Sequence, residues 1–339
     1  MTTAAARTST CHGIAGLPRW CGIGTHDTPR STAALDSHAR RGIRCLPVNT
    51  EASKNRAITI VTDSTTYLPT ALVHERGIQQ VSLYVGWDRD LRPEHDYRDL
   101  DDFYRRLHDN PEVPTTSQPS VGDFVAVYEP LVAAGHDVVS IHIAEGLSGT
   151  CASAREAARS LEAQGHAGRI EVVDGETGAG GLGLLVLEAA AAASRGESLD
   201  AVLTAVREAR RRLDIWFCLD TLEYLRRGGR IGAAQALLGS ALSIKPILTF
   251  GTEIAPVGRV RTRRRALERM VAYLRELETR GATEWIVQHA QAPDDAAYLV
   301  REGTDILGVP PLFCSEVGPV LGAHLGRGML VGGLASAPG

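Results

Sequence analysis

The sequence predicts a two-domain α/β protein whose N-terminal half is built on a largely parallel sheet. Three observations carry this expectation. Short β-branched runs alternate with longer helical patterns, which is how βαβ units read. At 339 residues the chain exceeds the size at which one hydrophobic core usually stops growing. Hydrophobic residues make up 44% of it and aromatics only 5%, so the apolar content is aliphatic and suits helices packed on a buried sheet.

Residues 1–56 mix Thr, Ser, Ala, Arg, Gly and Pro without apolar periodicity and read as a disordered extension. The first strand is Ile58-Thr-Ile-Val-Thr62, which stops at Asp63-Ser64 as a strand entering a βα loop does. Further strands are expected at 81–85, 138–143, 169–173, 215–219, 246–250 and 285–287. Helices are expected at 123–133, 148–164, 182–193, 199–212 and 262–279. The alternation is clearest up to about residue 205. Beyond it Gly228-Gly229, Gly251 and Pro256 break the rhythm and point to a second α/β domain containing hairpins. We set the domains at 57–210 and 211–339.

The net charge of −4 is unevenly placed. Residues 1–56 carry eight basic and three acidic side chains, which leaves the globular part acidic and without a nucleic-acid footprint. The six cysteines show neither a C-x-x-C pair nor a histidine at zinc spacing. Cys11, Cys21 and Cys45 fall in the extension; Cys151, Cys218 and Cys314 fall in expected core elements and read as buried free thiols. No histidine has a second at helical spacing, so no metal site is expected. The sequence has no run of about 18 apolar residues for a membrane span. Neither a Sec nor a Tat leader is legible, so stable membrane insertion is not expected and the expected location is cytoplasmic.

Ligands of open α/β sheets bind beyond the carboxyl ends of strands, and three hydroxyl-rich segments fall at such places. Thr62-Asp-Ser64-Thr-Thr66 reads first as a polar turn capped by Asp63. In Pro114-Thr-Thr-Ser-Gln-Pro-Ser120, Ser120 and Asp123 fit a variant capping box. That leaves Thr115, Thr116 and Ser117 either for a ligand or for solvent. In Gly146-Leu-Ser148-Gly-Thr150, the start of a helix offers free N–H groups to an anion, or Ser148 serves only as the N-cap. A fourth segment ends in Gly228-Gly-Arg230, where a guanidinium could grip a carboxylate or phosphate bidentately. His289 follows an expected strand, and His324 is flanked by glycines that would let the backbone approach a partner closely.

Enzyme readings fit less well. Gly146-Leu-Ser148-Gly-Thr150 is one residue off the G-x-S-x-G nucleophile elbow, which leaves a Ser148-dependent hydrolase or acyltransferase as the alternative function. Gly178-Ala-Gly180-Gly-Leu-Gly183 matches a dinucleotide fingerprint, but four residues separate it from the preceding strand and no strand follows with a ribose-binding acid. Those glycines read instead as close helix–sheet packing. Neither Lys54 nor Lys245 follows a glycine, so a P-loop is excluded.

Taken in order, six segments resemble the DegV family over about residues 57–335. They are Ile60-Val-Thr-Asp-Ser64, Thr115-Thr-Ser-Gln-Pro-Ser120, Ile141 through Thr150, Leu222 through Ile231, Ser243-Ile-Lys-Pro-Ile247 and Gly318 through Gly326. The resemblance implies a DegV-like fold: a three-layer parallel-sheet domain, a second α/β domain with a mixed sheet, and a long-chain fatty acid between them. It further implies a non-catalytic carrier with no cofactor, which presents the fatty-acid carboxylate to a partner such as the ATP-binding subunit of a bacterial fatty-acid kinase. Carried over by motif, Thr116 and Ser148 hydrogen-bond the carboxylate, with Thr115, Ser117 and Gly149 beside them and His324 in the network. Arg230, Ser64 and His289 are the candidates for a contact at the mouth or with phosphate. Two departures stand out. Ala144-Glu145 replaces a Ser-Ser common in the family, and a carboxylate there would repel the ligand if it pointed inward. Arg327 replaces a proline common beside His324.

Overall fold

The computed structural model describes residues 56–335 except 89, 167 and 239–243. These residues fall within one compact unit, Thr50–Gly339. The expected extension (all but Arg56), its three cysteines and the absence of a leader lie outside the described residues.

In chain order, β1 (Ile58–Asp63) leads through a 3-10 turn at Ser64–Thr66 into α1 (Thr70–Glu75) and β2 (Gln79–Val81). The strand expected at 81–85 divides here. Val81 ends β2, while β3 (Tyr84–Gly86) turns away to pair with β4 (Arg92–Pro93) and β5 (Thr115–Ser117) in a small antiparallel sheet. At the break, the Leu83 N–H donates to the Ser64 hydroxyl at 3.1 Å instead of to a strand neighbour. Between β4 and β5 lies α2 (Leu100–Asp109), started by the Asp99 side chain accepting from the Asp102 N–H. It buries Phe103, Tyr104 and Leu107 on one face. Thr115–Ser117, read from sequence as loop, is the edge strand β5.

Ser120 and Asp123 form the expected capping box at the start of α3 (Val121–Ala133). β6 (Asp137–His142), α4 (Thr150–Glu162) and β7 (Ile170–Asp174) follow. Strands β2-β1-β6-β7 form a fully parallel sheet. Next come α5 (Ala179–Ser194), α6 (Leu199–Arg212), β8 (Leu213–Leu219), α7 (Glu223–Arg227), β9 (Lys245–Phe250) and β10 (Ile254–Val260). The chain closes with α8 (Arg263–Thr279), β11 (Glu284–Ala290), α9 (Pro293–Leu307), β12 (Phe313–Glu316), α10 (Pro319–Leu325) and β13 (Gly328–Leu334). Their strands make a six-stranded mixed sheet in the order β10-β9-β8-β13-β11-β12, in which only β11 and β12 pair in parallel. A parallel sheet beside a mixed one is the fold class the sequence predicts.

Helix α5 explains how the two sheets share a core. It is apolar nearly all round, and it contacts β1 and β6 of the parallel sheet as well as β8, β11 and β13 of the mixed one. Its glycines make those contacts close. A Cβ on Gly180 would stand 2.5 Å from Ile286 Cδ1, and one on Gly183 would stand 3.2 Å from both Leu68 and Phe313. The packing role expected for these glycines is therefore what the structure shows. Gln288 fastens the same junction. It accepts from the Gly180 N–H at 2.6 Å and donates to the Thr66 carbonyl at 3.0 Å. One thiol departs from expectation. Cys151 and Cys218 are buried, but Cys314 is exposed because it lies on β12, the edge of the mixed sheet.

Candidate functional site

A narrow cleft gathers the segments that the sequence singled out. Nine apolar side chains line it: Leu83, Ile143, Leu147, Leu225, Phe250, Ile254, Val320, Leu321 and Leu325. Thr116, Ser117, Gln118, Ser148, Arg230 and His324 supply its polar groups. A mostly apolar slot with a few converging polar groups suits an elongated apolar ligand with one polar end. A wider cleft, lined by Asp101, Asp220, Arg105 and Arg327 among others, is more open and far more charged.

His324 stands in the last turn of α10, and its Nε2 lies 2.8 Å from the Thr116 hydroxyl on β5. The other ring nitrogen, Nδ1, is buried without a hydrogen-bond partner among the described residues. It faces Gly228, where a Cβ would come within 2.1 Å of it. Only glycine at 228 leaves room for the imidazole. An orphaned lone pair is tolerated more readily than an orphaned N–H. That assigns the proton to Nε2, which donates to Thr116 and leaves the threonine hydroxyl proton free for a ligand. Burial, reinforced by the nearby Arg230 charge, lowers His324 to about 4, so the ring is neutral at physiological pH.

Arg230 ties the two walls of the mouth together. Its Nη1 donates to the Gly228 carbonyl at 2.9 Å and its Nε to the Leu147 carbonyl at 3.3 Å. Gly229 makes the turn between α7 and Arg230 with φ of +69°. Ser148 is not the N-cap of α4. That position belongs to Gly149, with no side-chain cap, and the Ser148 hydroxyl pairs with the Thr150 hydroxyl at 2.8 Å. Gly149 packs under Gln118, whose Nε2 would be 2.8 Å from a Cβ there. Gln118 is the polar lining residue that sequence reasoning passed over; its only signal was its place inside the Thr115–Ser120 segment.

The remaining candidates lie elsewhere. Thr115 is exposed and pairs with Gly86 across β3. Ser64 donates to the buried Glu94 carboxylate at 2.5 Å. His289 lies 3.8 Å from Glu316 in a separate apolar pocket, and burial lowers its pKa. Glu145 forms an ion pair with Arg155 on α4 and does not line the cleft, so its charge is directed away from the mouth.

The geometry gives a Ser148 enzyme little support. The hydrogen bond made by Ser148 runs to Thr150, and His324 Nε2 is engaged by Thr116. A serine–histidine–aspartate chain does exist at Ser140, His142 and Asp63, with links of 2.7 and 3.1 Å. All three are fully buried, and Tyr128 also donates to Ser140 at 2.6 Å. No substrate reaches it, so it is a satisfied polar network in the core. Among the described residues, no group of three His, Cys, Asp or Glu could hold a metal ion, and no helix is long and apolar enough to cross a membrane.

Comparison with known proteins gives a consistent picture. Residues 57–335 match the family model described as "Uncharacterised protein, DegV family". A DegV domain-containing protein of Streptomyces coelicolor is 38% identical over 279 residues, covering 81% of this chain and 97% of its own. Among solved structures, a DegV family protein of Thermus thermophilus recorded for its fatty acid binding has a TM-score of 0.74 at 33% identity. The match covers 82% of this chain and 99% of that one. DegV of Bacillus subtilis, described as a fatty acid binding protein, superposes with a TM-score of 0.73 at 33% identity, covering 83% and 100%.

Proposed function

The chain belongs to the DegV family, and from that premise we propose that it is a non-catalytic, cytoplasmic carrier of a long-chain fatty acid. The observation that carries the reading is the cleft itself. An apolar slot is joined to a polar cluster in which Thr116 has a hydroxyl proton to give and Arg230 supplies positive charge. In this reading Thr116 and Ser148 hydrogen-bond the carboxylate, and His324 orients Thr116. Arg230 stands at the mouth as the counter-charge, and Gln118 with Gly149 closes one wall. The acyl chain runs between the 57–210 and 211–339 portions, both of which contribute lining residues.

The energetics divide the labour. About 14 buried methylenes at ~0.8 kcal/mol each give ~11 kcal/mol before the costs of ordering and association. Each hydrogen bond to the charged head adds about 1.5–3 kcal/mol. The tail therefore sets affinity, and the head sets orientation. A carboxylate held at an open mouth is poised for a partner to act on. In this reading the partner is an ATP-binding fatty-acid kinase subunit, with no nucleic acid and no stable membrane insertion.

Native mass spectrometry of freshly purified protein, followed by extraction and identification of bound lipid, tests the reading. One fatty acid per chain is the expected result and would supply the chain length. An empty protein that also takes up no added palmitate or oleate would overturn it.

A further inference from the structure

We propose that Glu94, far from the mouth in sequence, is the positioning residue of the head-group site, because its carboxylate anchors the start of the short helix that carries His324. The inference rests on the fatty-acid reading above and concerns how that site is held in register.

Glu94 is 5% exposed. Three donors converge on its carboxylate: the Ser64 hydroxyl at 2.5 Å, the Tyr67 hydroxyl at 2.8 Å and the Val320 N–H at 2.7 Å. Tyr67 in turn accepts from the Leu321 N–H at 3.0 Å. Val320 and Leu321 belong to the first turn of α10, whose opening N–H groups have no partner within the helix. The N-cap residue, Gly318, has no side chain to offer. A Cβ there would stand 2.6 Å from the Tyr67 ring and 2.8 Å from Glu94 Oε1. The sequence has therefore left this helix uncapped by its own residues and supplied the cap from 226 positions away.

The other end of α10 carries His324. A helix of seven residues spans only about 10 Å at 1.5 Å per residue, so a tilt at Glu94 is passed on to the imidazole. Besides Tyr67, two attachments of this helix come from or beside one small sheet. Glu94 follows β4 directly and donates its N–H to the Leu83 carbonyl at 2.8 Å, while Thr116 lies on β5. β3 pairs with both strands, through Tyr84–Pro93 and Val85–Thr116. Sheet and helix thus form a bracket fastened at Glu94 and at the Thr116–His324 bond.

Burying a carboxylate for structure alone is costly when a neutral cap would serve. Glu94 has no cation partner among the described residues; Asp63, Tyr67 and Tyr104 are the titratable groups that act on it or feel its charge. What fits it is the positive end of the helix dipole, a backbone N–H that can only donate, and two hydroxyls oriented by the N–H groups they accept. An amide can keep its oxygen for Tyr67 and Val320 and turn its NH2 to Ser64, whose hydroxyl then accepts, but it brings no negative charge to the start of the helix.

The test uses Glu94→Gln in the full chain, with palmitate and methyl palmitate as probes and the His324 ring nitrogens followed by NMR. Glu94→Gln is expected to weaken palmitate about tenfold while changing methyl palmitate less than about twofold, since only the acid uses the full head-group site. The His324 ring signals should move in the same variant without ligand. Equal weakening of both probes, or unchanged palmitate binding with unchanged His324 signals, would overturn the proposal. Should Glu94→Gln not fold, Tyr67→Phe removes the acceptor for Leu321 and must give the same selectivity with a smaller loss; no selectivity there also sinks it. If the wild-type chain binds neither probe, the carrier reading fails by itself. The His324 signals then still decide whether Glu94 sets the ring.

Discussion

Thr116 and His324 stand 208 positions apart in the chain and share a hydrogen bond of 2.8 Å. An edge strand of the small sheet and a helix preceding the last strand of the mixed sheet meet at this one bond, and the polar end of the cleft is organised around it. Removing the hydroxyl with Thr116→Val should leave the Nε2–H of His324 unpaired and take a donor from the carboxylate. We expect palmitate affinity to fall by about 1.5–3 kcal/mol, read by isothermal titration calorimetry. Unaltered affinity would remove Thr116 from the site.

Gly228→Ala isolates a single contact. Gly228 has φ of −74°, so alanine is at ease in the backbone. Its methyl group would nevertheless fall 2.1 Å from His324 Nδ1. The ring must move, and we expect a stability loss of about 1–3 kcal/mol in urea denaturation together with weaker palmitate binding. A variant as stable as the parent and equally avid would show that the ring has room to spare.

Two buried groups act oppositely on stability as pH changes. Glu94 is raised from 4.5 to about 7 by burial, against the hydrogen bonds that lower it. Across that window the folded chain retains a proton that the unfolded chain has lost, so this group makes stability fall as pH rises. His324 is lowered from 6.5 to about 4, so the unfolded chain holds the extra proton, and this group makes stability rise with pH over that range. Where the windows overlap the two slopes offset each other. Glu94→Gln should remove the falling part and steepen the rise between about pH 5 and pH 6.5 in denaturation series. An identical pH profile in the variant would contradict the assignment.

Glu145→Ala is the control. Its carboxylate is 44% exposed and paired with Arg155 away from the cleft. Stability should change by less than about 0.5–1 kcal/mol, and palmitate affinity should not change. A gain in affinity would mean that the charge reaches the ligand after all.

Much of the fold was legible because buried parallel strands and amphipathic helices announce themselves in hydrophobic pattern. β1, β6 and α6 are where the β-branched runs and the periodicity place them. Strand β13 was not legible. Gly328-Met-Leu-Val-Gly-Gly-Leu334 reads as a glycine segment, yet it lies in the middle of the mixed sheet. Glycine suits it there because a Cβ at Gly332 would be 3.1 Å from Ile215. The break between β2 and β3 was hidden for another reason: a tertiary hydrogen bond from Leu83 to Ser64 decides it, and local pattern cannot register that. At the site, the hydroxyl segments and the glycines around His324 were visible as chemistry out of place in a turn. The contributions of Gln118 and Glu94 were not. Each acts across the fold on a residue that sequence spacing does not connect to it, and a glutamate after a proline looks like surface.

Helix α5 has a consequence for how the molecule comes apart. Because it contacts strands of both sheets and is buried among them, neither sheet keeps an intact interior once the other has gone. The described chain should therefore melt in a single calorimetric transition, its van't Hoff and calorimetric enthalpies agreeing, instead of in two steps. A ligand lodged in the cleft would then shift that one transition as a whole, so melting temperature alone can report occupancy.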